Sequence, residues 1–536
     1  MRATAEARRH LVITMAVFTA AFLYQFASAR FSNDHFDHLS KAVQVLHGEY
    51  PVRDFLDPGR PLTIALSAVT LAMAGGTLFG EAVLTMGAIA TGITLVFWLT
   101  HQVTRSIPVA GWAAACTLAI EPRLYGYPKV LVCVVAVWLA FRYVDRPGRA
   151  PAAALGAWGG VGFLFRHDLG VYLALFAALT LLLVRGWRDV RGLVRDAATA
   201  GGVAVVLVTP YVWYLLAHDA FAAGATEGGA AFLRAMRLTW RPFQLGPGPD
   251  GGPWMRHNAE VWLYDLFLVV PVLTLALVAR ARARLTPELR KVGALAVLCL
   301  TLLLFLIRGN LDSRLPDVAA PSFVLVGWLL TVLSGPAGEW RVTARRGVAL
   351  VLAVVTWLGV VQLSDWNPVR RLASAVIRLP GSVTEPAAGL LGDPLQFWER
   401  EETTHVRGLA RWMRECTAPD DRLLIFGYHP DAHFFSGRLF AGGVPMLYAG
   451  YHSSAADQRF IVARLRRERV PFVVVDADKT RALVESYRIV GDYVLDHYSV
   501  AAETDFGGPP FLIYVAREIQ RLWSVRDGLP CLVPAT

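Results

Sequence analysis

The sequence is short of charge. Only 18% of its 536 residues are Asp, Glu, Lys or Arg, against ~25% in an ordinary soluble protein. So few charges cannot solvate the surface of a soluble chain of this length, which excludes a purely cytosolic enzyme and a disordered chain. Lysine is almost missing. Lys41, Lys129, Lys291 and Lys479 are the only four, and arginine supplies the remaining positive charge, a bias typical of a GC-rich bacterial genome. No basic stripe interleaved with aromatics stands out, which argues against a nucleic-acid partner. Cysteine is scarce too, with five residues and no CxxC or Cys/His metal spacing. Cys116, Cys133 and Cys299 fall in apolar stretches and read as small core residues. Cys416 and Cys531 fall in the polar C-terminal part and would pair if that part faces an oxidising compartment. There is no internal repeat, no low-complexity tract, and no G-x-G-x-x-G after a strand.

What the chain has in excess is apolar sequence: 55% of residues are hydrophobic and the mean hydropathy is +0.44. The apolar residues come in blocks long enough to cross a bilayer core of ~30 Å. Twelve blocks are marked, at 11–29, 61–79, 82–101, 107–120, 129–144, 150–165, 169–184, 198–217, 261–279, 292–307, 319–334 and 347–363. The chain reads as a polytopic membrane protein. Its first block follows Arg2, Arg8 and Arg9 and has no clear cleavage site, so it reads as an uncleaved signal anchor.

From Ser364 the composition changes. Residues 364–536 hold half of the acidic residues, 21 of 42, but only 20 of the 52 basic ones. Their net charge is about −1, against about +11 for residues 1–363. This marks a membrane domain at 1–363 and a soluble domain at 364–536. In the latter, Arg422–Phe426, Phe472–Asp476 and Phe511–Val515 read as short buried strands, with helices at Ala455–Glu468 and Lys479–Tyr487. A small α/β layer fold follows.

Charge also sets the topology. The loops at 185–195 (Arg185, Arg188, Arg191, Arg195), 280–291 (Arg280, Arg282, Arg284, Arg290, Lys291) and 341–346 (Arg341, Arg345, Arg346) belong in the cytoplasm by the positive-inside rule. The N-terminus and loop 142–149 belong there as well, and the C-terminal domain then lies outside. An inside-to-outside chain crosses an odd number of times, so about eleven of the twelve blocks span. Of 61–79 and 82–101, Pro61, Gly75 and Gly76 point to 61–79 as the block that does not, and the competing solution is an outer N-terminus with all twelve blocks crossing.

In that arrangement four charged turns share the outer face. Intramembrane or edge charges are costly and point to function. The first turn, 30–60, carries Asp34, His35, Asp37 and His38, then Arg53-Asp54-Phe55 and Asp57-Pro58-Gly59-Arg60-Pro61. Asp34 sits just after the first membrane block and reads either as a general base or as a helix cap. Asp37, His35 and His38 read as a solvated helix face. The cluster also admits a divalent cation, although the spacing is not diagnostic of one. The second turn is Glu121-Pro122-Arg123-Leu124-Tyr125-Gly126-Tyr127-Pro128-Lys129, the third Arg166-His167-Asp168, and the fourth Arg308 to Pro316 with Asp312 and Arg314. Arginine forks and a lysine suit phosphate oxygens, so the face fits a substrate with a phosphate and a group to be deprotonated. The long segment 218–260, with Trp240, Arg241, Trp254, Arg256 and His257, reads as a Gly/Pro-rich connector or as a lid over the acceptor. His429, Asp431 and His433 read as residues capping the turn after a strand, or as a metal site.

These residues resemble the GT-C superfamily of integral-membrane glycosyltransferases, which includes protein mannosyltransferases and lipid A aminoarabinose transferases. The resemblance rests on Asp34, Ala42, Gly48, Pro51, Asp54-Phe55 and Pro61-Leu62 in the first outer turn, on Phe165–Tyr172, and on Arg314-Leu315-Pro316. It covers residues 10–330. It implies that Asp34, not Asp37, is the catalytic aspartate. It implies roles for Asp57 and for Glu121 in orienting the acceptor or helping the base. Lys129, Arg166 and Arg314 would hold the leaving lipid phosphate. His35 stands where relatives often carry a second acid, which weakens the case for a metal. With Tyr127 and Asp168 it is assigned to substrate binding.

The implied activity is inverting transfer of a sugar from a polyprenyl-phosphate donor to a lipid, glycan or protein acceptor outside a bacterial cytoplasmic membrane. A transporter or flippase of lipid-linked or small polar substrates is the alternative; it would show midplane charges and inverted repeats. A scaffold acting through the C-terminal domain is a third reading.

Overall fold

Long apolar runs without backbone partners in lipid must satisfy their own hydrogen bonds, and helices do this within one segment. The computed structural model is accordingly helical through most of its length. It describes residues 2–28, 31, 33–57, 59–187, 189–218, 242–246, 254–281, 285–308, 311–335, 339–364, 366–370, 387–396, 404–448, 450–519 and 524–532. The chain divides into two compact units. A helical unit is drawn from Met1–Arg30, Thr85–Leu216 and Gly224–Val383, and an α/β unit from Phe31–Leu84, Ala217–Ala223 and Thr384–Thr536. The segment Phe31–Leu84 therefore clusters with the C-terminal residues.

In chain order the helices are α1 (Arg2–Ser28), α2 (Asn33–Leu46), α3 (Pro61–Met73), α4 (Leu78–Thr104), α5 (Ile107–Ala119), α6 (Tyr127–Asp145), α7 (Arg149–Phe165), α8 (His167–Arg185), α9 (Val190–Ala217), α10 (Trp254–Arg280), α11 (Pro287–Leu302), α12 (Leu311–Ser334) and α13 (Glu339–Leu363). Among the described residues, nine helices are long and apolar enough to cross a membrane: those within α1, α4, α6, α8, α9, α10, α11, α12 and α13. Helix α7 has 17 residues, and α3 and α5 have 13 each. At ~1.5 Å per residue, α3 extends only ~20 Å. It stops where Gly75 and Gly76 take positive φ, so the block expected at 61–79 is a short helix and a turn.

The helical unit is centred on α12, which packs against α5, α6, α10, α11 and α13 and is buried along nearly its whole length. Close helix approach is bought by missing side chains. A Cβ on Gly156 would sit 2.0 Å from the Ala200 carbonyl oxygen of α9, and one on Gly327 would meet Thr100 at 2.9 Å. Cys116, Cys133 and Cys299 are free and buried in this unit, as their apolar settings predict.

In the α/β unit, α14 (Thr404–Cys416), β1 (Arg422–Phe426), α15 (Pro430–Ser436), β2 (Leu439–Phe440), α16 (Ala455–Leu465), β3 (Phe472–Asp476), α17 (Thr480–Ser486), α18 (Arg488–His497), β4 (Tyr498–Thr504) and β5 (Phe511–Ala516) follow one another. A two-stranded ribbon, β6 (Ser524–Arg526) and β7 (Leu529–Cys531), comes last. The sheet order is β2-β1-β3-β5-β4, with β1 parallel to both β2 and β3 and β5 antiparallel to β3 and β4. Strand residues alternate between two cores. Leu424, Phe426, Val473 and Val475 face Ile461, Val490 and Val494 of α16 and α18. Leu423, Ile425, Phe472 and Val474 face Val406, Leu409 and Met413 of α14. The result is a three-layer α/β/α arrangement, and the three expected strands and two helices are all present. A disulfide joins Cys416, at the end of α14, to Cys531 in β7.

Candidate active site

Helix α2 shows why its sequence is unusual. Its apolar residues Phe36, Leu39 and Ala42 are buried, but so are His35, Asp37, His38, Ser40, Lys41 and Gln44. The expected solvated face is an interior one, and the reading of Asp37, His35 and His38 as solvated is corrected. Burying polar groups requires partners, and α2 has them within the α/β unit. Asp37 pairs with Lys41 one turn on at 2.9 Å and with Arg60 at 3.1 Å. Arg60 also donates to Nε2 of His38. Nε2 of His35 meets Oε1 of Glu81 at 2.7 Å, and Glu81 also accepts from Ser67 and Thr70. His35, expected to bind substrate, is thus committed to an interior pair. Gln44 donates to the carbonyl of Phe440 at 3.1 Å.

Asp34 differs from this set. It occupies the first turn of α2, is half-buried, and accepts a hydrogen bond from the hydroxyl of Tyr428, the second residue after β1. Asp57 accepts from the backbone N–H of Arg60 at 3.2 and 3.3 Å, which closes the turn ahead of α3. Asp34, Asp37 and Asp57 all act on the Arg60 guanidinium, and Asp37 with Asp57 acts on Tyr451. Three carboxylates therefore share two cations, Arg60 and Lys41. Burial works against the charge of Arg60, but Asp37, Tyr451, Asp57 and Asp34 outweigh it and raise its pKa. Burial also opposes ionisation of Asp37, and Lys41 and Arg60 more than offset it, so its carboxyl is held below the ordinary range. Tyr448 and Tyr451 border the cluster, stacked on each other at 5.0 Å, with Tyr428 edge-on to Tyr448 at 5.2 Å. Burial pushes both their hydroxyls up, and it drives the neighbouring His452 down to about 3.

The helical unit holds the second group of expected residues. Glu121 has a left-handed backbone (φ +52°) and accepts from the Tyr24 hydroxyl at 3.0 Å. Lys129 and Tyr127 lie in the first turn of α6, both buried. Lys129 pairs with Asp317 on α12, and Arg314 lies 3.7 Å from the same carboxylate. Arg166, at the start of α8, forms a two-pronged pair with Asp168 at 3.0 and 2.7 Å. Lys129 and Arg166 both lie over the Phe305 ring, at 5.8 and 5.6 Å from its centre. Among the described residues, the cations Lys129, Arg166 and Arg314 and the carboxylates Asp168 and Asp317 thus gather near Phe305, with one positive charge in excess.

Sequence reasoning missed Asp317, Phe305 and Tyr428. Asp317 had a signal, its i,i+3 spacing from Arg314; the other two had none. Of the fourth turn, Gly309 and Asn310 and the side chains of Arg308 and Asp312 lie outside the described residues, as do Pro58, Arg188, Arg282, Arg284, the side chain of Arg341, and Trp240 and Arg241 of the expected lid. Trp254, Arg256 and His257 belong to α10. His429 holds the N-cap position of α15 without a side-chain capping bond, and Asp431 and His433 lie buried within α15, in the turn after β1. Among the described residues, no three His, Cys, Asp or Glu side chains are grouped as a metal ion would need.

A bundle of apolar helices followed by an α/β unit is a fold this chain shares with solved membrane-protein structures. Two solved structures carry the likeness. The oligosaccharyltransferase of Archaeoglobus fulgidus, in complex with zinc and sulfate, matches with a TM-score of 0.52 at 13% identity over 93% of this chain and 73% of that one. ArnT from Cupriavidus metallidurans, bound to undecaprenyl phosphate, matches with a TM-score of 0.50 at 15% identity over 96% of this chain and 98% of that one. No protein-family model matches the sequence, and no curated protein is similar to it.

Proposed function

We propose that the protein is a membrane glycosyltransferase that moves a sugar from a polyprenyl-phosphate carrier to an extracytoplasmic lipid, glycan or protein acceptor. The observation that carries this reading is the contrast between Asp34 and Asp37. Asp37 is locked between Lys41 and Arg60, whereas Asp34 stands half-buried in the first turn of the helix and accepts the Tyr428 hydroxyl. A carboxylate in that condition suits a general base.

In the proposed reaction the acceptor's O–H or N–H is deprotonated by Asp34 as the heteroatom attacks the anomeric carbon. The bond from that carbon to the phosphate oxygen breaks, its electron pair stays with the phosphate, and the configuration inverts. Asp57 and Glu121 orient the acceptor. Lys129, Arg166 and Arg314 stabilise the charge that grows on the leaving phosphate, with Tyr127 and Asp168 holding that group in place. The net positive charge of the cation cluster supports this role.

The protein resides in a bacterial cytoplasmic membrane in this reading, with eleven crossings made by the nine long helices together with α5 and α7. Residues 364–536 then lie outside, and the Cys416–Cys531 disulfide supports this, since such bonds persist in oxidising compartments. The deciding experiment is Asp34→Asn in the purified protein, assayed for consumption of polyprenyl-phosphate sugars. Loss of consumption is expected, and full activity overturns the mechanism. A tag at Thr536 found in the cytoplasm overturns the topology.

A further inference from the structure

Ligands of open α/β sheets gather beyond the carboxyl ends of the parallel strands. In this sheet β1 and β3 end side by side at Phe426 and Asp476. The chain leaving β1 runs Gly427-Tyr428-His429 and is held at three points. Gly427 N–H donates to the Leu447 carbonyl at 2.9 Å, and Leu447 N–H returns to Ile425 at 3.1 Å. His429 Nε2 meets Asp476 Oδ1 at 2.9 Å, with both side chains 13% exposed. The His429 ring packs edge-on against Phe511 at 5.3 Å and His405 at 5.9 Å. Gly427 makes this possible, because a Cβ there would lie 2.5 Å from both carboxylate oxygens of Asp476. Between the two anchors, the Tyr428 side chain reaches Asp34.

We infer that Tyr428 is a positioning residue for Asp34, and that the His429–Asp476 pair positions Tyr428. The inference rests on the reading of Asp34 as the base. A carboxylate on the first turn of a helix can rotate. With one oxygen engaged by a hydroxyl on a fixed strap, the carboxylate is held in one orientation, which is settled before the reaction begins. Burial disfavours a charged His429, but the hydrogen bond and charge of Asp476 outweigh it and raise its pKa, which strengthens the anchor. The C-terminal domain is in this account a working part of the active site, and its contribution is geometric.

The test uses the full-length protein in native membrane vesicles with a panel of undecaprenyl-phosphate-linked pentoses and hexoses, following release of undecaprenyl phosphate. Tyr428→Phe is expected to lower kcat roughly tenfold, the loss of one charge-assisted hydrogen bond, with the donor KM within about twofold of wild type. His429→Ala should do the same, His429→Gln should recover most of the loss, and Tyr428→Phe combined with His429→Ala should be no worse than either alone. Wild-type kcat in Tyr428→Phe, losses that multiply in the double variant, or His429→Gln as impaired as His429→Ala would overturn the proposal. Asp34→Asn, run in parallel, separates the two readings. If it stays active, the base assignment itself fails; if it is inactive while Tyr428→Phe is normal, only the positioning fails. A second readout needs no turnover. With 3-fluorotyrosine at position 428, the ¹⁹F resonance should move on Asp34→Asn and on His429→Ala, and a resonance indifferent to both would also overturn it.

Discussion

Lys129 and Asp317 stand 188 positions apart in the sequence and meet as an ion pair inside the helical unit, their side chains 2% and 8% exposed. Removing one partner of a buried pair leaves an uncompensated charge, typically at a cost of about 3–5 kcal/mol. Arg314 remains 3.7 Å from Asp317 and softens the loss on one side only. Lys129→Met should therefore melt earlier than wild type in detergent. Lys129→Met with Asp317→Leu should regain the melting temperature but not binding of undecaprenyl phosphate. Recovery of both would remove Lys129 from the proposed phosphate site.

Asp34 and Asp37 lie three residues apart on one helix and should fail in opposite ways. Asp37→Asn leaves buried Lys41 without its anion and should cost about 3 kcal/mol or more of stability. Asp34→Asn removes a half-buried carboxylate and should leave the melting temperature within a few degrees while abolishing turnover. Thermal unfolding and sugar release measured on both variants decide the matter, and equal destabilisation would contradict the division of labour.

Acid should weaken the α/β unit through His433. Burial drives its pKa down to about 3, so the folded state keeps it neutral while the unfolded chain protonates it near 6.5. Stability tied to this group is complete above about 6.5 and falls by about 1.4 kcal/mol per pH unit as pH drops toward about 3. Asp431 acts in the other sense. Burial raises it to about 6, so it costs stability as pH climbs from about 4 through about 6. In melting curves taken against pH, His433→Leu should flatten the acid-side loss and Asp431→Asn should steepen it.

The Cys416–Cys531 disulfide closes a sequence separation of 115 residues. Disulfides typically contribute about 2–4 kcal/mol, with more expected for longer loops. Cys531→Ser should lower the unfolding temperature of the α/β unit, and the wild-type protein should change mobility on a gel when reduced. A free thiol at Cys416 in protein isolated from native membranes would contradict both the bond and an outer location.

Much of this was legible in the sequence because hydrophobic blocks and alternating strands are local patterns. The strands at Arg422, Phe472 and Phe511 come from short β-branched and aromatic runs, and Cys416 and Cys531 stand out as the two cysteines outside the apolar blocks. The burial of α2 was not legible. Its charged face pairs with Arg60 and Glu81, and its glutamine with the Phe440 carbonyl, partners that only the tertiary fold supplies. Tyr428 was hidden for the same reason, since nothing in Gly427-Tyr428-His429 announces a partner 394 positions earlier. For Lys129, Arg166 and Arg314, residue chemistry identified the cations, while the carboxylate and the ring that gather them had to be seen.

Glu49 accepts from Arg422 at 2.7 Å and from Arg464 at 2.9 Å, while Leu56 N–H donates to the Gly443 carbonyl at 2.9 Å. The segment after the first helix and the C-terminal domain are thus one module written in two distant stretches of the gene. A chimaera that exchanges the C-terminal domain alone would carry a mismatched half of it. Recombination between relatives should succeed only when residues 31–84 travel with their counterpart.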